Sequence, residues 1–323
     1  MGNPKVYIFS HTNWYKIHTV TIFFERYILM IRKIVQHGNS TLTISLPYRW
    51  TKEHHLKKGD ELILEQIGKN LLIKQEKDTK GALHVSVYKK NQIFLKRDLL
   101  NFYRKGYDDL ILQFKDETPL EEIYSVLEEL LGFEIIEQTD SRCHIKNVAN
   151  VMEDEFETML RRLFVVVRSF SDIMHDSMEA DEPEKSIKAL SMEKEVNKLT
   201  NYCKRVLNRT NLGDISQITA TYSLTNRLEL IGDSLAALCR YFGHDKPEVS
   251  TAILNFHADI NEYFNQIQIQ YFKTEKDVVR LKQLRAKLYL DFIDIGKSQT
   301  TDSIIFANLK QILEELHHIE ISL

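Results

Sequence analysis

The sequence is poor in cysteine, glycine and proline. Its 323 residues include 3 cysteines (Cys143, Cys203 and Cys239), and no two of them form a CxxC pair. This spacing argues against a disulfide framework and against a cysteine zinc site, and it indicates reduced thiols in a cytoplasmic protein. The 11 glycines and 5 prolines are few for a chain of this length, which favours helix.

The sequence also lacks a long apolar run and a dominant sign of charge. No run approaches the length of a bilayer span, so we expect no membrane insertion. The formal net charge of −3 argues against a protein that coats nucleic acid by charge alone. The charge is uneven, however. Lys and Arg outnumber Asp and Glu by four within residues 31–74, and the acidic excess lies elsewhere.

Residues 1–29 carry two strand-like runs, at 6–9 and 20–24, that share no pattern with the residues after them. The region is too polar and too broken for a signal peptide, and it has no small-residue cleavage site. Met30 directly precedes the first well-patterned segment. We therefore expect Met30 to be the true start and 1–29 to be an upstream extension.

Residues 30–76 have the pattern of a small β unit. Polar and apolar side chains alternate over 41–46, which predicts a half-buried strand that ends at Pro47. A short helix over 48–55 and two strands around a turn at Gly68 complete the predicted elements. Because a unit of this size buries little surface alone, we expect a second chain to complete it.

Residues 77–148 alternate strands with helices, which predicts a small α/β module. The predicted order is a strand at 83–87, a helix at 93–103, a strand at 110–114, a helix at 120–131, and strands at 133–136 and 144–145. No glycine-rich phosphate loop and no clustered nucleophile and base occur here. We expect a spacer or a dimerising module, not a catalytic one.

Residues 149–323 are predicted to be entirely helical. Apolar spacing and breaks predict helices at 151–179, 184–210, 214–242, 247–272, 275–296 and 302–322. Two stretches align at an offset of 82 residues, 193–199 with 275–281 and 226–233 with 308–315. The shared offset predicts two related three-helix bundles.

Two polar pairs at i,i+4 spacing lie beside the apolar stripes of these helices: Glu193 with Asn197, and Glu229 with Asp233. This spacing puts both side chains of a pair on one helix face, about one turn apart. Carboxylates from neighbouring helices, brought together there, would suit a hard or borderline cation. Taken alone, the pattern favours a solvated helix face over a metal site.

No catalytic set can be argued from the spacing of the remaining polar residues, and we expect no enzymatic activity. The adjacent histidines at 54–55 and at 317–318 would point about 100° apart on a helix, so neither pair makes a shared site. Three others are isolated in the sequence, which is typical of structural or solvent-facing histidines: His175, His244 and His257.

Three short runs resemble the SpoVT/AbrB swapped-hairpin DNA-binding domain: GNSTLTISLP at 38–47, LKKGDELIL at 56–64 and LLI at 71–73. The resemblance implies two chains that exchange hairpins to form one small barrel, which docks on DNA. The alternative is a small β adaptor without DNA contacts.

The contact regions of that family fall on four basic residues of this sequence. Arg32 and Lys33 lie on the expected first strand, and Arg49 and Lys52 follow Pro47. Phosphate contacts by these side chains would make binding strongly dependent on salt.

The helices resemble the PhoU phosphate-uptake regulators, which have two three-helix bundles. In that family a Glu/Asp-xxx-Asp pair in each bundle lines a surface site for multinuclear metal. The ELIGD run at 229–233 matches as it stands, and the EKEVN run at 193–197 has Asn in place of the second Asp. The resemblance implies a metal, such as iron, zinc or magnesium, at these residues: Glu193, Asn197, Glu229 and Asp233.

The equivalent pairs in the second bundle are Glu275 with Val279 and Gln311 with Glu315. Val279 cannot bind a metal ion, so we expect the second site to be lost.

The order of the three parts resembles archaeal PhoU-type regulators over residues 30–323. The expected fold class is multidomain α+β: a swapped-hairpin β-barrel at 30–76, an α/β module at 77–148 and an all-α pair of three-helix bundles at 149–323. The expected protein is a cytoplasmic, homodimeric, DNA-binding regulator of phosphate uptake and homeostasis, dimeric through its N-terminal domain. The alternative is a PhoU-like interaction scaffold that acts on a phosphate transporter or signalling partner without binding DNA.

Overall fold

The computed structural model describes residues 31–38, 40–67, 70–75, 83–87, 92–114, 119–149, 155–209, 215–297 and 302–323. By its contacts the chain divides into two units, Met1–Glu61 and Leu62–Leu323. The predicted extension at 1–29, Met30 and the turn at Gly68 lie outside the described residues. The predicted domain boundaries stay a prediction.

The first unit contains a short hairpin and one short helix. Strand β1 (Val35–His37) pairs antiparallel with β2 (Thr41–Thr43), and helix α1 (Tyr48–Glu53) comes after them. The strand predicted at 41–46 is therefore shorter than expected. Pro47 ends the extended segment and begins the helix, since its carbonyl oxygen accepts a bond from the Thr51 N–H at 3.0 Å.

The second unit begins with an antiparallel hairpin of β3 (Leu62–Ile67) and β4 (Asn70–Gln75), as predicted. With the sheet and the helices after it, this hairpin confirms the general α+β layout. Within the described part of this single chain no sheet closes into a barrel. The swapped-hairpin barrel, which needs two chains, stays a prediction.

A four-stranded mixed sheet with two helices comes next and confirms the predicted alternation. Its elements are β5 (Leu83–Val87), α2 (Gln92–Arg104), β6 (Asp109–Phe114), α3 (Leu120–Leu127), β7 (Phe133–Thr139) and β8 (Arg142–Asn147). The strand order is β5-β6-β8-β7. The parallel pair β5–β6 is connected through α2, because parallel neighbours need a crossover. Leu99, Leu110 and Ile123 belong to the buried core of this module.

The rest of the unit is helical, as predicted. The helices are α4 (Phe156–Glu179), α5 (Pro183–Ala189), α6 (Ser191–Arg209), α7 (Ile215–Asp245), α8 (Thr251–Tyr271), α9 (Val278–Gly296) and α10 (Ser303–Ile321). Helix α7 packs against α4, α5, α6 and α10, so it is central to the helical core. Among the described helices, none has the length and apolarity needed to cross a membrane.

Several helix boundaries differ from the prediction; α3, for example, ends at Leu127 and α9 begins at Val278. The helix expected at 184–210 is two helices, α5 and α6, separated at Leu190. The Ser191 hydroxyl there donates to the Lys188 carbonyl oxygen at 3.1 Å, and such local side-chain bonds compete with helix continuation. Helix α7 runs through Gly243 and ends before Lys246, whose φ of 46° is left-handed.

Arg205 of α6 fastens the sheet module to the helices. Its side chain is 1% exposed and forms an ion pair with Asp108, at the entrance to β6. One terminal nitrogen donates to the carbonyl oxygens of Tyr103 and Tyr107, at 2.7 and 2.8 Å. The guanidinium carbon also lies 4.7 Å from the centre of the Tyr103 ring. The middle module is therefore fixed to α6 by a buried cation.

Replacing Arg205 by Met should destabilise the second unit strongly. The change removes one donor from each of the Tyr103 and Tyr107 carbonyl oxygens and the buried ion-pair partner of Asp108, and we expect the free energy of unfolding to fall by about 3 kcal/mol. Arg209→Met is the matched control, because Arg209 binds the same Asp108 oxygen at 2.5 Å but is 34% exposed. The control should cost no more than about 1 kcal/mol. Urea unfolding followed by far-UV circular dichroism measures both; equal losses would contradict the anchoring role of Arg205.

Candidate functional site

The four predicted DNA-contacting residues are all exposed on the first unit. Arg49 and Lys52 lie three residues apart on α1, which places them on one face of the helix. The Arg49 Nε donates to Glu53 Oε1 at 2.8 Å, and the Arg49 side chain remains 73% exposed. Arg32 and Lys33 precede β1 and are not part of it, which corrects their expected place on the first strand.

The acidic pairs lie where α6 and α7 pack against each other. Glu193 and Asn197 are on α6, and Glu229 and Asp233 are on α7. Asp233 is exposed, but its partial desolvation by the packed helices and the nearby charges of Glu229 and Glu193 raise its pKa. The structure therefore brings the three predicted carboxylates near one another.

Gly232 explains how the two helices approach so closely. A Cβ atom on Gly232 would lie 2.9 Å from Cγ1 of Val196, which is between Glu193 and Asn197 on α6. Valine is branched at Cβ and has few rotamers with which to move away. The glycine of the ELIGD run is thus required by helix packing, whether or not the site binds a ligand.

Cations already engage two of the predicted ligands. Arg240 forms an ion pair with Glu193. Lys204 donates to one oxygen of Glu229 at 2.5 Å, and Arg104 donates to the other at 3.3 Å. The Lys204 side chain is 2% exposed; burial lowers its pKa, whereas Glu229 raises it.

The donor set therefore fits a metal ion poorly in this arrangement. Three carboxylates face three cationic side chains, so the local charge is balanced without a metal. A metal ion at Glu229 would compete with Lys204 for the carboxylate, and an ammonium group is costly to bury without its partner. Metal binding at Glu193, Asn197, Glu229 and Asp233 stays a prediction.

The predicted equivalents in the second bundle are not arranged in the same way. Glu275 precedes α9, because Asp277 caps that helix by accepting from the Val279 N–H at 3.2 Å. Glu193 lies on a helix, but Glu275, its predicted equivalent at the offset of 82 residues, does not. Gln311 and Glu315 are one turn apart on α10 and are bonded to each other at 2.7 Å. Arg227 forms an ion pair with Glu315 at 2.8 Å.

Sequence reasoning missed one cluster, in the last turn of α4. Ligand atoms of His175, Asp176 and Glu179 lie within 4.8 Å of one another. The ring of His257, on α8, lies 5.5 Å from that of His175, so these two histidines are not isolated, contrary to the prediction. The i,i+4 spacing of His175 and Glu179 was a usable signal. No sequence pattern near His257 indicates that it lies beside His175.

Compared with models of known protein families and with curated proteins, the chain shows no match.

The close contact at Gly232 predicts a selective loss of stability. Gly232→Ala should lower the free energy of unfolding by about 1–3 kcal/mol, because the new methyl group overlaps Val196. Gly296→Ala is the matched control, since its Cβ would meet Phe306 at 3.5 Å, an ordinary contact. That change should be neutral or stabilising by up to about 1 kcal/mol.

Adding Val196→Ala to the Gly232→Ala variant tests the physical reason, because the smaller side chain removes the overlap. The double variant should lose less free energy of unfolding than the sum of the losses in the two single variants. Thermal unfolding of the four proteins gives this coupling, and strict additivity would refute the steric explanation.

Proposed function

We propose that the protein is a homodimeric, DNA-binding regulator of phosphate uptake, similar in plan to the archaeal PhoU-type regulators. The observation that carries the proposal is the exposed apolar surface of the first unit. Its basic side chains supply the contacts to DNA, and the helices of the second unit serve as the sensing part. The resemblance of the 38–47, 56–64 and 229–233 runs supports the same assignment.

Several apolar side chains of the first unit are exposed to solvent. Helix α1 has no buried residue. By the hairpin register Ile34, Leu42 and Ile44 share one face, and they are 67%, 67% and 52% exposed, respectively. A two-stranded hairpin is marginal on its own, and contiguous exposed apolar side chains indicate an interaction surface. A second copy that exchanges hairpins with this one covers that surface and completes the barrel.

The basic residues give such a dimer its affinity for DNA. Residues 31–61 contain Arg32, Lys33, Arg49 and Lys52, and the unit has more basic than acidic side chains. A dimer presents this set twice, along a surface that can follow two stretches of phosphate backbone. Lys and Arg that neutralise phosphates release bound counterions, and this release drives binding.

The helical part responds to phosphate status through a protein partner or a bound ion, as the likeness to PhoU suggests. Phosphate transporters and their signalling proteins are the candidate partners. The ion pairs of Glu229 with Arg104 and with the buried Lys204 connect α2, α6 and α7, so a change in that cluster alters the packing of the sheet module on the helices.

The dimer is tested by a charge placed on the apolar surface. Leu42→Asp should convert the protein to a monomer, because an uncompensated carboxylate cannot be buried in the interface. Leu290→Asp is the control, since Leu290 is 64% exposed but lies on α9. Light scattering after size-exclusion chromatography gives the mass of each. A monomeric wild-type protein, or a dimeric Leu42→Asp variant, would contradict the proposal.

DNA binding is tested with the double variant Arg32→Ala/Arg49→Ala. It should bind DNA from phosphate-uptake promoters more weakly. The slope of log affinity against log salt should also fall by about one per lost phosphate contact. Lys273→Ala/Lys282→Ala removes the same charge from exposed positions of the second unit and serves as the control. Gel shifts at several salt concentrations report both quantities.

Two results would count against the DNA assignment. One is a double variant whose affinity and salt slope equal those of the wild type. The other is a wild-type dimer that binds no DNA at low salt, which would favour the interaction scaffold without DNA contacts.

A further inference from the structure

The cluster at the end of α4 has the geometry of a small chelating site. His175 and Glu179 are one turn apart on the same helix face, and Asp176 flanks them. Their ligand atoms lie within 4.8 Å of one another, and the Nδ1 of His175 faces Asp176 Oδ1 at 3.7 Å. One imidazole nitrogen and two carboxylates are a donor set that transition-metal ions prefer.

The charges of this cluster are not balanced by other side chains. Within the described residues, neither Asp176 nor Glu179 forms an ion pair with a lysine or arginine, in contrast to Glu193 and Glu229 on α6 and α7. Glu179 is the last residue of α4, where the carbonyl ends of the helix favour a positive charge. A cation therefore gains from both the carboxylates and the helix terminus.

A second, independent observation comes from His257, which is fully buried against His175. Its Nε2 lies 3.0 Å from the Ser171 Oγ, and that hydroxyl donates to Asn261 Oδ1 at 2.6 Å. Because the serine proton is used on Asn261, the histidine must donate through Nε2.

The Nδ1 of His257 is consequently a buried acceptor, and it has no hydrogen-bond partner in the part of the chain that the structure describes. Such atoms are rare because their desolvation is costly. The ring of His175 lies beside it, 5.5 Å away between centroids, without a hydrogen bond between the two rings. A histidine that binds metal through one nitrogen normally donates its other N–H to a neighbouring acceptor.

We propose that His175, Asp176 and Glu179 bind a divalent transition-metal ion, with His257 positioning the ring of His175. The ion takes the Nδ1 of His175 and one oxygen from each carboxylate, and water completes its coordination. His175 then carries its proton on Nε2, and a small rotation of its ring brings this N–H to the bare Nδ1 of His257. This site is separate from the acidic pairs on α6 and α7.

Zinc binding to the tag-free, full-length protein tests this site by isothermal titration calorimetry. The wild type should bind one zinc ion per chain. His175→Ala and Asp176→Asn/Glu179→Gln should lose that binding. His257→Phe keeps the ligands but removes the acceptor, so its affinity should fall by about 10- to 100-fold.

Two controls separate this site from others on the protein. His244→Ala removes an exposed histidine of α7, and Glu193→Gln/Asp233→Asn removes carboxylates of the other acidic cluster. Both should bind zinc like the wild type. Cobalt in place of zinc adds a spectroscopic readout, because its visible bands should change when His175 is removed.

Some results would overturn the site. They are a wild-type protein that takes up no zinc, or zinc binding that persists in His175→Ala, which would indicate an adventitious ion only. Binding that is lost in Glu193→Gln/Asp233→Asn and kept in His175→Ala would place the metal at α6 and α7 instead. None of these results bears on whether the first unit dimerises or binds DNA.

Discussion

The pairing of buried charges along α6 is the interaction on which the second unit depends. Consecutive turns of this helix bury Asn201, Lys204 and Arg205 alongside its apolar side chains. Asn201 accepts from Arg104 Nε at 2.7 Å and donates to the Glu129 carbonyl oxygen at 3.3 Å. Each of these groups would be expensive to bury without a partner. Their partners lie on α2, in the sheet module and on α7, so pairing fixes the relative position of those elements.

This constraint gives the ELIGD run a structural role that its resemblance to a metal motif does not reveal. Glu229 accepts from both Lys204 and Arg104, and so it neutralises a buried charge from α6 and a partly exposed one from the sheet module. Asn197 in place of an acid removes one negative charge from a cluster that cationic side chains already balance. The same residue pattern can therefore persist for packing reasons alone. The α4 cluster differs, because no lysine or arginine among the described residues forms an ion pair with its carboxylates.

The sequence predicts the elements of this fold much better than their contacts. Periodicity locates the sheet module and the long helices, since each pattern is local. Arg205 and Tyr103 are about a hundred residues apart, and nothing in either segment predicts that a guanidinium is buried there. The internal repeat predicts a helical equivalent of Glu193, but the Asp277 cap begins α9 after Glu275. The start of α9 is set by the capping side chain of Asp277, two residues after Glu275, and the repeat pattern does not predict this.

The candidate sites divide along the same line. Spacing within one helix is enough to pair Glu229 with Asp233 or His175 with Glu179, but it is silent on whether a neighbouring helix supplies a lysine or a bare histidine nitrogen. The side chain that the neighbouring helix supplies determines whether the carboxylates form ion pairs or bind a metal ion. A buried ammonium group beside carboxylates forms an ion pair and neutralises them. A buried acceptor beside a histidine instead orients the imidazole ring, and the second ring nitrogen is then available to a metal ion. In this protein the carboxylates of the ELIGD run are already paired with cationic side chains. The proposed metal site is instead the His175, Asp176 and Glu179 cluster on α4, which matches no motif.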